Sequence, residues 1–123
     1  MDIAEYLKYI DYFNNQQYDK YYTDDVIVEL PSLILNGKQA VRDFYGNMSN
    51  YVHETVRVKK VFIEEASLGA NIWSDFYCHQ DWHDFIVCPV TKGQIVRVEL
   101  VVLYTLQGNK FSHIRAGRLS NPE

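Results

Sequence analysis

From residue 53 onward the chain gives up helical spacing for four long alternating stretches, about 53–66, 69–82, 94–107 and 110–118. Period-two alternation puts successive side chains on opposite faces, so these stretches read as strands. Gly69, Gly93 and Gly108-Asn109 mark the hairpin turns between them. Upstream, Ile3, Tyr6, Leu7, Ile10 and Phe13 recur at helical spacing over residues 2–14. A short second helix is expected at about 16–22, then an acidic turn at Asp24-Asp25 and a strand from Val26 to Leu30. Pro31 breaks that strand, Asn36-Gly37 turns the chain, and a third helix over 37–49 presents Ala40, Val41, Phe44 and Tyr45 inward. Helices first and a strongly curved antiparallel sheet second make an α+β layout. With 123 residues and no linker, repeat or low-complexity segment, residues 1–123 are expected to form one domain.

The third long strand says more. Val96, Val98, Leu100, Val102 and Tyr104 form one wholly apolar face, while the other carries Ile95, Arg97, Glu99, Val101 and Leu103. Helices of one small chain cover a single side of such a sheet, so the second side calls for another cover. A second copy is the simplest, and a homodimer through the sheet is expected. A net charge of −4 without a basic run argues against nucleic acid and against an anionic membrane surface. No apolar run is long enough to cross a bilayer. The acidic opening Met1-Asp2-Ile3-Ala4-Glu5 is unlike a secretory signal, so Cys78 and Cys88 are expected as free thiols and the cytoplasm as the compartment. Ten tyrosines suit a pocket or an interface, because tyrosine joins apolar wall to a hydroxyl.

The run Tyr21-Tyr22-Thr23-Asp24-Asp25-Val26-Ile27-Val28-Glu29-Leu30-Pro31, followed by Asn36-Gly37-Lys38-Gln39-Ala40-Val41-Arg42-Asp43-Phe44-Tyr45, resembles the SnoaL-like and ketosteroid-isomerase-like branch of the NTF2-like superfamily. The Gln80-Asp81-Trp82-His83-Asp84-Phe85 loop and the Phe111-Ser112-His113-Ile114-Arg115 ending fit the same likeness. The resemblance implies a cone of three N-terminal helices packed on a strongly curved antiparallel β-sheet, whose hollow holds a hydrophobic small molecule and needs no cofactor. It also implies which residues face inward: His53, Thr55 and Arg57; Asn71, Trp73, Asp75 and Tyr77; Arg97, Glu99, Val101 and Leu103; and Ile114, Ala116 and Arg118. On that face Glu99 or Asp75 is the expected base, His53 the acid or its partner, and Arg97 the holder of a carboxylate or an oxyanion. Tyr9, Tyr22, Phe44, Trp73, Tyr77, Val101 and Arg118 are the expected substrate-binding set. A structural ion pair of Arg97 with Glu99, at a pocket rim or dimer edge, is the competing reading. A break in alternation near Lys59-Lys60 points to a bulge.

Departures from the family pattern limit what the likeness implies. The isomerase general base falls at Leu30, and its oxyanion-hole aspartate at about Val101. Its oxyanion tyrosine matches Tyr9 or Tyr6. The aspartate that SnoaL-type cyclases carry near the C-terminus has no counterpart in Arg115-Ala116-Gly117-Arg118-Leu119-Ser120. Between Cys78 and Cys88 the ligand types suit a metal but the spacing fits no common zinc pattern, so no metal is expected. That segment reads as a loop over the cone mouth, with Trp82 and Phe85 as a lid. The expected function is a cofactor-independent isomerase, dehydratase or cyclase acting on a hydrophobic oxygenated substrate. The alternative is a non-catalytic dimeric module that binds a ligand or a protein.

Overall fold

The computed structural model describes residues 1–122. Among them two α-helices and six strands follow in the order α1 (Ile3–Asn14), β1 (Tyr22–Leu30), β2 (Leu33–Asn36), α2 (Lys38–Met48), β3 (Val52–Glu64), β4 (Ser67–Cys78), β5 (Ile95–Gln107) and β6 (Lys110–Arg118). The strands form one sheet in the order β2-β1-β6-β5-β4-β3. β1 runs parallel to β6 and every other neighbouring pair is antiparallel, so the sheet is mixed where an antiparallel one was expected.

The second of the three expected helices is a single 3-10 turn, Asp19–Tyr21. Gln16 takes a φ of 61°, which turns the chain, and Tyr22 is already paired with Phe111 of β6. The ladder takes the backbone groups a helix would have used, and β1 starts at Tyr22 instead of Val26. α1 is capped by the Asp2 carboxylate, which accepts the Glu5 N–H at 2.8 Å. It buries Tyr6, Tyr9 and Ile10. Tyr9 meets the rings of Tyr6, Tyr21 and Phe111, and this aromatic packing turns Ile3 and Leu7 to solvent, off the expected stripe. At the helix end the Asn14 side chain donates to the Val56 carbonyl at 3.0 Å and accepts the Val56 N–H at 2.7 Å. A side chain thus supplies one ladder step on the free edge of β3.

Curvature comes from irregular pairing. β3 bulges between Val58 and Lys60, as the broken alternation predicted, and β5 and β6 slip between Thr105 and Leu106. Gly93 and Gly108 adopt positive φ values of 94° and 65° at their turns. The β3–β4 turn instead uses Glu65 at φ 45°, and Gly69 lies within β4.

α1 packs on β3 and α2 on β1 and β2. The face they enclose carries Val52, Glu54 and Val56 of β3, then Ile72, Ser74, Phe76 and Cys78 of β4. Val96, Val98, Leu100, Val102 and Tyr104 of β5 continue it, with Ile114 and Ala116 of β6. This corrects the inward face expected for three strands. His53, Thr55, Arg57, Asn71, Trp73, Asp75, Tyr77, Arg97, Glu99, Val101 and Leu103 all lie on the convex side, one residue out of step with the cone interior. The physical reason is burial cost. The wholly apolar row of β5 goes inside, where Arg97 and Glu99 would have carried desolvated charge. Only β6 keeps the expected face, with Ile114, Ala116 and Arg118 inward.

Candidate functional site

Among the described residues the concave face of the sheet holds one carboxylate. In β3 the row Val52, Glu54, Val56, Val58 is apolar except for Glu54, and the fold brings Ser74 of β4 diagonally opposite it. Ser74 Oγ donates to Glu54 Oε2 at 2.8 Å, and Ser74 itself is fully buried. Burial pushes the Glu54 carboxyl up to about 7, and the Ser74 hydrogen bond pulls partly the other way. Both protonation states of Glu54 are therefore populated near neutral pH, the condition general acid–base work requires.

Three adjoining pockets meet at Glu54 and Tyr45, which line all of them. The first, a cavity of about 60 Å³, opens between the β1–β2 turn and the loop after β4; Leu30, Phe44, Phe76, Phe85 and Leu100 wall it, with Arg118 at the rim. The second, about 80 Å³, lies deeper among Tyr9, Tyr22, Val56, Ile72, Tyr104 and Ile114. The third, about 210 Å³, runs under α2 and is lined in part by Gln16, Ser49 and His53. Besides Glu54, tyrosine hydroxyls bring polar atoms to the deep pocket: Tyr9 pairs with Tyr22 at 2.7 Å and Tyr104 with Tyr6 at 2.9 Å. Burial holds all four phenols, and that of Tyr45, above their ordinary range, so they stay protonated.

Of the expected site residues, Tyr9, Tyr22, Phe44 and Arg118 do line the cone. Trp73, Tyr77 and Val101 do not; their side chains are on the convex face. Asp75 there accepts Arg97 Nε at 2.7 Å and Arg97 Nη2 at 3.3 Å, and pairs with Arg57 at 3.3 Å. Glu99 accepts Lys59 Nζ and Asn71 Nδ2, each at 3.0 Å. Trp73 lies beneath the cationic ends of Lys59 and Arg97. Hydrogen bonds from Arg97 lower the Asp75 carboxyl, and those from Lys59 and Asn71 lower Glu99. Both carboxylates are satisfied anions outside the cone, so the base and oxyanion roles expected of Asp75, Glu99 and Arg97 have no place in its interior. The Arg97–Glu99 pair is also replaced, since Arg97 bridges to Asp75. His53 is exposed at the open edge of β3, against the third pocket.

Sequence reasoning missed Glu54 and Ser74. The available signal was a carboxylate interrupting the apolar row Val52, Val56, Val58, and a serine between Ile72 and Phe76. The loop after β4 behaves as a wall: Trp82 stacks on Tyr51 at 4.5 Å and on Phe85 at 4.9 Å, and Phe85 meets Phe76 at 5.1 Å. Cys78 and Cys88 are free thiols, Cys78 buried with its Sγ on the Gln80 carbonyl. Among the described residues no three His, Cys, Asp or Glu side chains converge as metal ligands, and no helix is long and apolar enough to cross a membrane.

No protein-family model matches this sequence, and no curated protein matches it. Solved structures do match, at low identity. A SnoaL-like polyketide cyclase from Agrobacterium tumefaciens is 20% identical with a TM-score of 0.71, over 92% of this chain and 87% of that one. An LEH-like epoxide hydrolase of M. tuberculosis is 11% identical with a TM-score of 0.74, over 94% and 80%. An NTF2-like protein from Anabaena variabilis is 14% identical with a TM-score of 0.70, over 92% and 85%. The chain has the NTF2-like fold.

Proposed function

We propose that this chain is a cofactor-independent enzyme that transfers protons within a compact, hydrophobic, oxygenated substrate, with Glu54 as the acid–base group. The observation that carries the reading is a carboxyl poised near pH 7 where apolar pockets meet. As carboxylate, Glu54 takes a proton from a carbon beside a carbonyl; as the acid, it returns one. Ser74 holds the carboxyl in place, and the Tyr45 hydroxyl, kept protonated, is a donor for substrate oxygen. Isomerisation, dehydration and cyclisation all use such a step. The compartments of about 60 and 80 Å³ fit a small molecule better than a tetracyclic one. The names of two similar structures, a polyketide cyclase and an epoxide hydrolase, are in keeping with small-molecule chemistry in such a cone.

The test is a thermal-shift screen of small polyketide- and terpenoid-like ketones, enones and epoxides, followed by turnover assays of the ligands found. At about a hundred times its dissociation constant a ligand adds roughly 2.7 kcal/mol, several degrees of shift. Glu54→Gln should keep the shift and abolish turnover. Turnover that survives in Glu54→Gln would refute the assignment; binding without any turnover would favour the non-catalytic module. A homodimer through the convex face belongs to the same proposal, supported by exposed Tyr77, Ile95, Phe62, Leu103 and Leu119. Sedimentation analysis of Leu103→Asp against wild type checks it, with a monomeric wild type as the refuting result.

A further inference from the structure

The mouth beside Arg118 is not the one way to Glu54. The third pocket reaches the same carboxyl from beneath α2, past Gln16, Ser49 and His53, none of which lines the other two pockets. Its volume of about 210 Å³ is ample, since a water needs only about 10–15 Å³ of such space and two to four polar partners. The lining supplies those partners. The Asn14 clamp on Val56 closes the β3 edge one step further along.

Gly46 is in the last turns of α2, where glycine costs a helix about 1 kcal/mol relative to alanine. Its φ is not in the left-handed region, so the backbone does not require it. Gly46 is exposed, nothing lies within 4 Å of where its Cβ would stand, and the residue lines the third pocket. The neighbouring Ser49 hydroxyl turns to the Gly46 carbonyl at 2.8 Å, which keeps the wall polar. A glycine at this place leaves that part of the pocket's lining without a side chain.

We propose that the groove under Gly46 is a second entrance to the site, through which water and other small hydrophilic molecules reach Glu54 while an apolar ligand fills the mouth. It rests on the reading of Glu54 as the acid–base group, and it makes solvent the source of the protons that group trades. The titratable and charged groups around Glu54 are Tyr45 from α2, Tyr9 from α1, Tyr18 from the segment after it, Tyr22 from β1, Tyr104 from β5, Arg118 across the mouth from β6, and His53 beside it on β3.

The test is a carboxyl titration by NMR on protein carrying labelled glutamate, in wild type, Glu54→Gln, Gly46→Ala and Gly46→Leu. Glu54→Gln identifies the Glu54 signal. The expected result is a near-neutral midpoint that rises by a unit or more, tenfold in proton affinity, in Gly46→Leu, with Gly46→Ala between. A folded Gly46→Leu that titrates like wild type overturns the proposal. A high-resolution crystal structure of wild type reads the same question without a variant: an ordered water on Glu54 from the α2 side supports it, and a dry groove overturns it. If no near-neutral signal disappears in Glu54→Gln, the acid–base reading fails by itself, and the crystal water alone decides the entrance.

Discussion

Glu54→Gln should stabilise the protein at alkaline pH and leave its stability unchanged in acid. In the folded chain the carboxyl titrates at about 7, against 4.5 for an unperturbed glutamate. Below pH 4.5 it is protonated in both states and favours neither. Between these values the unfolded chain gives up its proton and the folded chain keeps it, so rising pH favours unfolding. Above about pH 7 both states are ionised and the penalty levels off. The interval from 4.5 to about 7, at roughly 1.36 kcal/mol per pH unit, sets that penalty at about 3 kcal/mol. Glutamine is neutral throughout and its carbonyl can still accept the Ser74 hydroxyl. The stability difference between variant and wild type should thus climb from near zero at about pH 4.5 to about 3 kcal/mol at pH 8.5, or about 10 °C in Tm for a chain of this size. Urea titrations across that range measure it. Asp75 and Glu99, whose carboxyls are lowered, contribute stability that is lost as pH falls, but they are present in both proteins and cancel. Parallel pH profiles for the two proteins would refute the argument that Glu54 is buried at a cost.

Tyr9→Phe leaves the Tyr22 hydroxyl buried without its partner and should cost about 1–3 kcal/mol, most of it recovered in the Tyr9→Phe, Tyr22→Phe double variant, as a double-mutant cycle would measure. Asn14→Ala removes both side-chain bonds to Val56 and should speed hydrogen exchange of the Val56 amide at least tenfold while distant amides of β5 change little. Asp75→Asn breaks a partly exposed network and should cost no more than about 1 kcal/mol, a loss that shrinks in high salt and vanishes as pH falls through the lowered Asp75 value.

Much of the architecture was legible because periodicity is local. The two α-helices, the four long strands, the bulge near Lys59 and the turns at Gly93 and Gly108 all follow from spacing and turn chemistry within a few residues. The second helix was not legible, since its fate depends on Tyr22 pairing with Phe111, far along the chain. The site was lost for a different reason. Register was carried over from a resemblance, and a slip of one residue moves a whole strand's side chains across the sheet. The alternative was visible in β5, where the row from Val96 to Tyr104 is uninterruptedly apolar and its neighbours include Arg97 and Glu99. Ranking that burial argument above the family likeness would have turned β5 correctly. β4 and β3 would have turned with it, bringing Glu54 and Ser74 inside.

The two faces of the sheet treat carboxylates in opposite ways. On the convex side Asp75 and Glu99 have cations and amides within hydrogen-bond reach, so ionisation is favoured and their protons are released far below neutral pH. Such groups are poor bases, because the partners that stabilise the anion must be given up when it takes a proton. On the concave side Glu54 has one neutral hydroxyl and aromatic walls, so the charged form is the strained one. Replacing Glu54 with an apolar residue would improve the core. On the proposed reading, the acid is kept there, against the fold's own stability, for what it can exchange with a molecule in the cone.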